Sequence, residues 1–181
     1  LYVAHHRKNG TYTWMQALQE LLTNGPCYGC CFLIPKAVFE RAGLFHEDLR
    51  YSQDALMWIN IFLQQYPLVY NGDEDVFARI HGKQLTQTGK ALFQHDSLII
   101  ADVLAPELAQ ISSPDHPYLY LFTKRNAMRG NRAAVQLCMD AGKAGGLLTR
   151  VQKARVHLLL AYAKIRPTMR KWYYKLIVKS R

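Results

Sequence analysis

Acidic residues are absent from one end of this chain, because no Asp or Glu follows Asp140. Residues 121–181 contain 15 Lys/Arg and one acid, a net charge of +14, whereas residues 1–120 contain eight Lys/Arg and 12 acids, a net charge of −4. This asymmetry argues against a cationic partner for the C-terminal third. It predicts an anionic one: a membrane surface, a nucleic acid or an acidic protein.

Long hydrophobic runs are also lacking. No apolar run reaches the roughly 18 residues that a membrane-spanning helix needs, and no signal-peptide pattern is visible. Half of the residues are nevertheless hydrophobic and 12% are aromatic, which excludes the disordered class. The length of 181 residues predicts one domain, or one domain with an extension.

Cysteine is scarce, and its four positions do not form a disulfide framework. Cys27, Cys30 and Cys31 are crowded together, and Cys138 is remote. This pattern indicates a reducing compartment, so we expect a cytoplasmic location. The pair Cys27 and Cys30 has the spacing of half a zinc site, but no second pair follows. We favour small hydrophobic side chains buried in a strand.

Hydrophobic periodicity and turn residues predict an α/β part followed by an all-helical part. The α/β part has these predicted elements: a helix capped by Thr13 and Gln16 and ending at Asn24-Gly25, a buried strand over 27–34, a helix over 36–42 ending at Gly43, a helix capped by Ser52, and strands over 67–70 and 76–81 joined at Asn71-Gly72. The helical part has these: helices over 86–104, 117–128, 132–142, 147–164 and 168–179, with Asn131 and Thr168 as caps and Pro167 as a break. The predicted domains are 1–111 and 112–181.

Four motifs follow one another in a fixed order. They are an apolar stretch before Pro35-Lys36, the segment Phe39-Glu-Arg-Ala-Gly43-Leu-Phe45-His-Glu47, the pair Gln53-Asp54, and Arg79-Ile-His81. Together they resemble the acceptor-side half of family two glycosyltransferases, which share the A-type nucleotide-sugar fold. The resemblance covers residues 27–86. His46 and Gln53 stand where that family usually has acids.

The resemblance implies a sugar transfer with inversion from a nucleotide-sugar donor to a saccharide or lipid-linked acceptor, as in polysaccharide biosynthesis. Asp54 is then the catalytic general base, Gln53, Arg79 and Lys83 bind substrate, and His81 is a metal ligand. The implied cofactor is a divalent ion, manganese or magnesium, held mostly by a motif upstream of this chain. We therefore expect the chain to be a piece of a longer enzyme and inactive alone.

The residue chemistry can be judged apart from the resemblance. Inverting sugar transfer needs one base that takes the proton of the attacking hydroxyl. Asp54 begins a predicted helix, where amides and the helix dipole should keep it ionised. The alternative is an Asp that only stabilises the first turn. For Arg79 and His81 the alternative is a solvated pair at a strand end.

The acidic run 73–75 resembles a metal-binding D-x-D motif, but it follows Asp54 and lies after a predicted turn. In the resembling family the metal motif precedes the base. We therefore interpret 73–75 as a solvated acidic loop.

Residues 150–181 contain ten Lys/Arg and no acid, interleaved with aromatic and aliphatic residues. This composition is typical of an interfacial helix on an anionic membrane, which would place the protein peripherally on the inner face. A non-enzymatic membrane-surface or partner-binding module is therefore the alternative function. An ordinary helix with solvated lysines also fits the pattern. Nucleic acid fits less well, because no nucleic-acid-binding motif accompanies the charge.

Overall fold

The computed structural model describes residues 8–25, 29–72, 89–143 and 145–178, with side chains in the last helix described as far as Met169. The chain divides into two compact units, one ending at Ile100 and one starting at Ala101. The elements are strands β1 (Gly10–Tyr12) and β2 (Leu68–Tyr70) and helices α1 (Trp14–Asn24), α2 (Lys36–Ala42), α3 (Gln53–Leu63), α4 (Lys90–Ile111), α5 (Tyr118–Met128), α6 (Arg132–Ala141) and α7 (Arg150–Val178).

In the first unit, α3 packs against α1 and α2. Apolar residues cover most of the surface of α3, and its middle is therefore buried on nearly all sides. The buried side chains of this core come from two helices: Ala17, Leu18, Leu21 and Leu22 of α1, and Leu56, Met57, Trp58, Ile59, Ile61 and Phe62 of α3. This packing fixes the N-terminal turn of α3, where Asp54 lies.

In the second unit, α5 packs against both α6 and α7. The centre of this packing is a cluster of buried side chains: Tyr120, Ala127, Val135, Leu148 and Val156. Burial of this apolar surface is what holds the three helices together.

Local sequence signals are confirmed where they describe helix ends. Thr13 and Gln16 form the predicted capping box: the Thr13 hydroxyl accepts from the Gln16 amide, and the Gln16 side chain accepts from the Thr13 amide. Helix α2 has its predicted bounds, and Gly43 follows it with a φ of 84°, which favours glycine. Ser52 occupies the predicted cap position of α3, but its side chain makes no capping hydrogen bond.

The predicted buried strand over 27–34 is wrong for its described part. Gly29–Cys31 form a 3₁₀ turn, and the residues after it belong to no strand. Cys30, Cys31 and Leu33 are exposed rather than buried. A buried strand needs a neighbouring strand to satisfy its backbone, and within the described residues this segment has none.

Strand β2 pairs with a strand that lies far before it in the sequence. Its partner is β1, which the sequence analysis missed, in antiparallel register with Thr11 opposite Val69. The amide of Gly72 donates to Asn9 Oδ1 at 2.7 Å, which extends the contact beyond the strands. The predicted partner over 76–81 lies outside the described residues.

Two helix bounds are also corrected, and in both cases the helix continues through a proline. Helix α4 ends at Ile111 rather than at 104 and contains Pro106. Helix α7 is continuous from Arg150 to Val178, so Pro167 does not break it and Thr168 does not cap a new helix. In both helices the proline is exposed, and it removes one backbone hydrogen bond from a helix of 22 or 29 residues.

The described chain is thus mostly helical with one small sheet. This is compatible with the predicted order of a partial α/β part and a helical part. No helix in the described ranges combines the length and the apolar character needed to span a membrane.

Candidate functional site

The carboxyl group of Asp54 lies in the first turn of α3 and is half-buried. Its Oδ1 atom accepts a hydrogen bond from the Ala55 amide at 2.7 Å. The 3₁₀ turn lies over the other oxygen: a Cβ placed on Gly29 would be 3.9 Å from Asp54 Oδ2 and 3.8 Å from Trp58 Cζ2. The turn therefore shields this carboxyl group from part of the solvent.

This shielding changes the acidity of Asp54. Burial raises the pKa of the carboxyl group, and the amides of Ala55 and Asp54 itself oppose that rise without cancelling it. The sequence analysis predicted that the amides at the helix start keep this group ionised. Those amides do lower its pKa, but burial has the larger effect and raises it. A carboxylate with a raised pKa binds a proton more readily, as a general base must.

Three aromatic rings, those of Phe32, Phe45 and Trp58, lie close to Asp54 and are called the aromatic wall here. Trp58 is one helical turn further along α3 than Asp54. Trp58 is buried, with its ring centroid 4.4 Å from that of Phe32 and 6.1 Å from that of Phe45, which it meets nearly edge to face. Phe45 is 43% exposed, so its ring offers an aromatic surface to a ligand, whereas Trp58 supports that ring from the core. The sequence analysis did not single out Trp58, and its spacing of four residues from Asp54 was the available signal.

Several buried polar atoms near this wall have no hydrogen-bond partner among the described residues. They are Gln53 Oε1, Trp58 Nε1 and His46 Nδ1. His46 Nδ1 lies 3.9 Å from Asp48 Oδ2, which is too long for a hydrogen bond. Buried polar atoms are normally paired, so these three atoms have a hydrogen-bonding capacity that the described residues do not use.

A second carboxylate holds the chain that leads into Asp54. Asp96 of α4 is fully buried, and its Oδ2 accepts hydrogen bonds from the amides of Tyr51 at 2.7 Å and Ser52 at 2.8 Å. The ring of Tyr51 also meets that of Phe93 edge to face, with centroids 5.8 Å apart. Asp96 thus fixes the two residues that lead into α3, since it pairs the amide of the cap residue Ser52 and the amide before it.

The pKa of Asp96 is lowered from its ordinary value, whereas that of Asp54 is raised. Burial alone would raise it, but hydrogen bonds from the Ser52 and Tyr51 amides, His95 and the Arg50 amide outweigh burial and lower it. Asp96 therefore serves as a permanent acceptor rather than a proton carrier. The sequence analysis missed it, since an acid within a helical pattern gives no sign of partners 44 and 45 residues away.

The structure places two of the predicted site residues together, Gln53 and Asp54, as the first two residues of α3. Arg79, His81 and Lys83, like the acidic run 73–75, lie outside the described residues. Within the described part, no group of three or more His, Cys, Asp or Glu is placed to hold a metal ion. The described residues therefore do not form a metal site by themselves.

Comparison with known proteins finds distant relatives. The chain is 27% identical over 153 residues to an uncharacterised glycosyltransferase of Rickettsia typhi, covering 81% of this chain and 48% of that protein. It is also 27% identical over 161 residues to an uncharacterised glycosyltransferase of Rickettsia prowazekii, covering 85% of this chain and 50% of the relative. A third, from Rickettsia felis, is 27% identical over 124 residues and is covered to only 20% of its length.

The chain thus spans about half the length of the first two relatives. No protein-family profile matches it, and no solved structure matches it either.

Proposed function

We propose that this chain contributes the acceptor side of a glycosyltransferase of family two with the A-type fold. The whole enzyme would transfer a sugar from a nucleotide-sugar donor to a saccharide or lipid-linked hydroxyl with inversion. Relatives named glycosyltransferases support a glycosyl transfer role in general. The observation that carries the finer proposal is the shielded Asp54 carboxyl group with its raised pKa, beside Trp58.

The proposed step needs only one carboxylate. The acceptor hydroxyl donates its proton to Asp54 while its oxygen attacks the anomeric carbon. The bond between that carbon and the diphosphate oxygen breaks, and its electron pair leaves with the nucleoside diphosphate. Attack from the face opposite the leaving group inverts the anomeric centre. The shielding by Gly29 favours this step because it raises the proton affinity of the base.

The neighbours of Asp54 then bind the acceptor. We assign the packing against a sugar ring to Phe45, which is 43% exposed and rests on the buried Trp58, and a hydrogen bond to the acceptor to the partly exposed Gln53 side chain. Arg79 and Lys83 are proposed to bind the diphosphate, and His81 is the one residue we propose as a ligand of a divalent ion. Because the described residues provide no metal-binding set, we assign no step to that ion.

The test of the base is Asp54→Asn in the complete polypeptide that contains these residues. Turnover of a panel of nucleotide sugars, with manganese or magnesium added, should fall by about 10²- to 10⁴-fold, as for loss of a general base. The matched control is Asp48→Asn, because the Asp48 side chain is 80% exposed and bears no proposed role. Equal turnover by wild type and Asp54→Asn would overturn the assignment of Asp54.

The same substitution should leave the fold intact. Since the folded state raises the pKa of Asp54, this group favours folding below its unfolded pKa, and that contribution is lost as the pH rises through its folded pKa. At neutral pH the ionised Asp54 carboxylate therefore lowers the stability of the fold. Asp54→Asn should melt at or above the wild-type temperature there, with the difference shrinking in acid. A clear drop in the melting temperature of Asp54→Asn at neutral pH would contradict the raised pKa. The loss of turnover could then reflect unfolding rather than loss of the base.

A further inference from the structure

Helix α7 has a row of large apolar side chains that the core does not use. The row consists of Val151, Leu158, Tyr162, Ile165 and Met169, which are 74%, 71%, 48%, 52% and 56% exposed. Successive members are 7, 4, 3 and 4 residues apart, so at 3.6 residues per turn they lie on one face and extend about 27 Å along the helix. We call this row the apolar stripe.

The core of the second unit contacts a different face of α7. Val156 is fully buried in that core, and Leu159 and Leu160 pack against it. Val156 lies about 140° around the helix from Val151, at 100° per residue. The helix therefore buries one apolar face and exposes another. Contiguous exposed apolar patches of this kind mark interaction surfaces more often than single exposed residues do.

The charge of α7 indicates what covers the stripe. The helix contains eight Lys/Arg and no acid along its length. Two of these cations, Arg155 and Arg166, are exposed and lie about 40° and 60° from Val151 around the helix. Long cationic side chains beside an apolar face can reach phosphate groups while their stems stay with the apolar surface. A polyanion with an apolar interior fits both features.

Other occupants fit only one feature. A second copy of α7 would cover the stripe, but it would bring eight further cations against the first eight, which is unfavourable. A nucleic acid would pair with the cations, but its phosphate-dominated surface leaves most of an aliphatic stripe uncovered.

We propose that α7 lies in the interface of an anionic phospholipid membrane, with the apolar stripe in the acyl boundary and Arg155 and Arg166, along one side of the stripe, at the phosphates. The surface would hold the protein beside its membrane without spanning it. The proposal is independent of sugar transfer, because it rests on the second unit alone.

Vesicle binding by the 181-residue chain tests the proposal. Co-sedimentation is measured with vesicles of phosphatidylcholine alone and of phosphatidylcholine mixed with phosphatidylglycerol. We expect wild type to prefer the anionic vesicles, and added salt to weaken that binding. The double variant Leu158→Gln/Ile165→Gln should bind them about tenfold or more weakly, since it removes apolar burial and leaves every cation in place.

The matched control is Leu98→Gln/Val103→Gln in α4. These side chains are 43% and 39% exposed, so the control removes a smaller exposed apolar surface, away from the stripe. It should bind as wild type does. Circular dichroism checks the fold of each variant, and Met169→Gln alone serves if the double variant does not fold.

Four results would overturn the proposal. Stripe and control variants that bind equally would exclude the stripe, and equal wild-type binding to neutral and anionic vesicles would exclude the role of charge. A dimer that the stripe variant dissociates, seen by sedimentation equilibrium, would assign the stripe to a second copy. Tighter binding to duplex DNA than to anionic vesicles would assign the helix to nucleic acid. None of these readouts depends on catalytic turnover.

Discussion

Asp54 and Asp96 lie in the same unit, and Asp54 is partly and Asp96 fully withdrawn from water, yet their pKa values shift in opposite directions. Asp54 accepts from amides at its own helix start, and these do not compensate for burial. Asp96 accepts from the Tyr51 and Ser52 amides and lies 3.3 Å from His95 Nδ1, and together these contacts outweigh burial. Hydrogen bonds to the charged form thus lower the pKa of Asp96, whereas the pKa of Asp54, which has fewer such bonds, stays raised.

A prediction at the residue scale concerns Asp96. Asp96→Asn should lower the free energy of unfolding by about 1–3 kcal/mol, because the neutral oxygen of Asn accepts from the two amides more weakly than the buried carboxylate does. Asp102→Asn in the same helix is the control, since Asp102 is exposed, and it should change stability by less than about 0.5 kcal/mol. Urea unfolding at neutral pH measures both.

The pH dependence gives a second check on Asp96. Its folded pKa is lowered, so its contribution is present above the unfolded pKa and is lost as the pH falls through the folded pKa. The gap between wild type and Asp96→Asn should therefore narrow in acid. A gap that stays constant with pH, or no gap at all, would show that Asp96 does not stabilise the fold as a carboxylate.

At the scale of elements, local chemistry predicted several helix bounds well and failed where a helix continues through a proline. The Thr13 capping box was predicted and is present. A second box, in which Thr149 and Gln152 exchange the same two hydrogen bonds, starts α7 and was missed. Pro167 was taken as a break, but a proline removes only one backbone bond, and the long helix before it continues.

Pro167 therefore yields a prediction at this scale. Pro167→Ala should raise the free energy of unfolding by about 1–3 kcal/mol, because alanine restores a backbone donor and favours the helix interior. Thr168→Ala is the control: since Thr168 caps no helix, its replacement should lack the loss of about 1 kcal/mol expected of a cap. Thermal unfolding followed by circular dichroism measures both. A Pro167→Ala chain less stable than wild type would mean that the helix ends at the proline.

At the scale of the whole molecule, the sequence predicted the order of the parts better than their contacts. The change from a small sheet with helices to an all-helical unit follows from periodicity and turn residues. The strand over 27–34 was mispredicted because an apolar run does not say whether a partner strand is present. The shielding of Asp54 by Gly29 and the bonds to Asp96 were beyond prediction, since they join residues far apart in sequence.

Cysteine reactivity tests the burial pattern of the molecule as a whole. Cys138 is fully buried, and burial raises the pKa of its thiol to about 12, whereas Cys30 and Cys31 are exposed. A thiol reagent should therefore modify Cys30 and Cys31 quickly and Cys138 only when the second unit opens.

The measurement is the time course of thiol modification in native buffer and in concentrated guanidinium chloride. Modification of Cys138 should appear as a slow phase of the reaction. This phase should be absent from the Cys138→Ala variant. For wild type in denaturant it should become fast. Rapid modification of Cys138 in native buffer would contradict the packing of the α5–α7 core.

The bonds from Asp96 to Tyr51 and Ser52 also set the order in which this part of the molecule can be made. They join positions 44 and 45 residues apart, so the chain must close a long loop before these bonds form. A ribosome that has released α3 but not α4 holds a nascent chain in which the turn before Asp54 has no anchor. The proposed base is thus put in place only after the chain as far as Asp96 has left the ribosome and is free to fold.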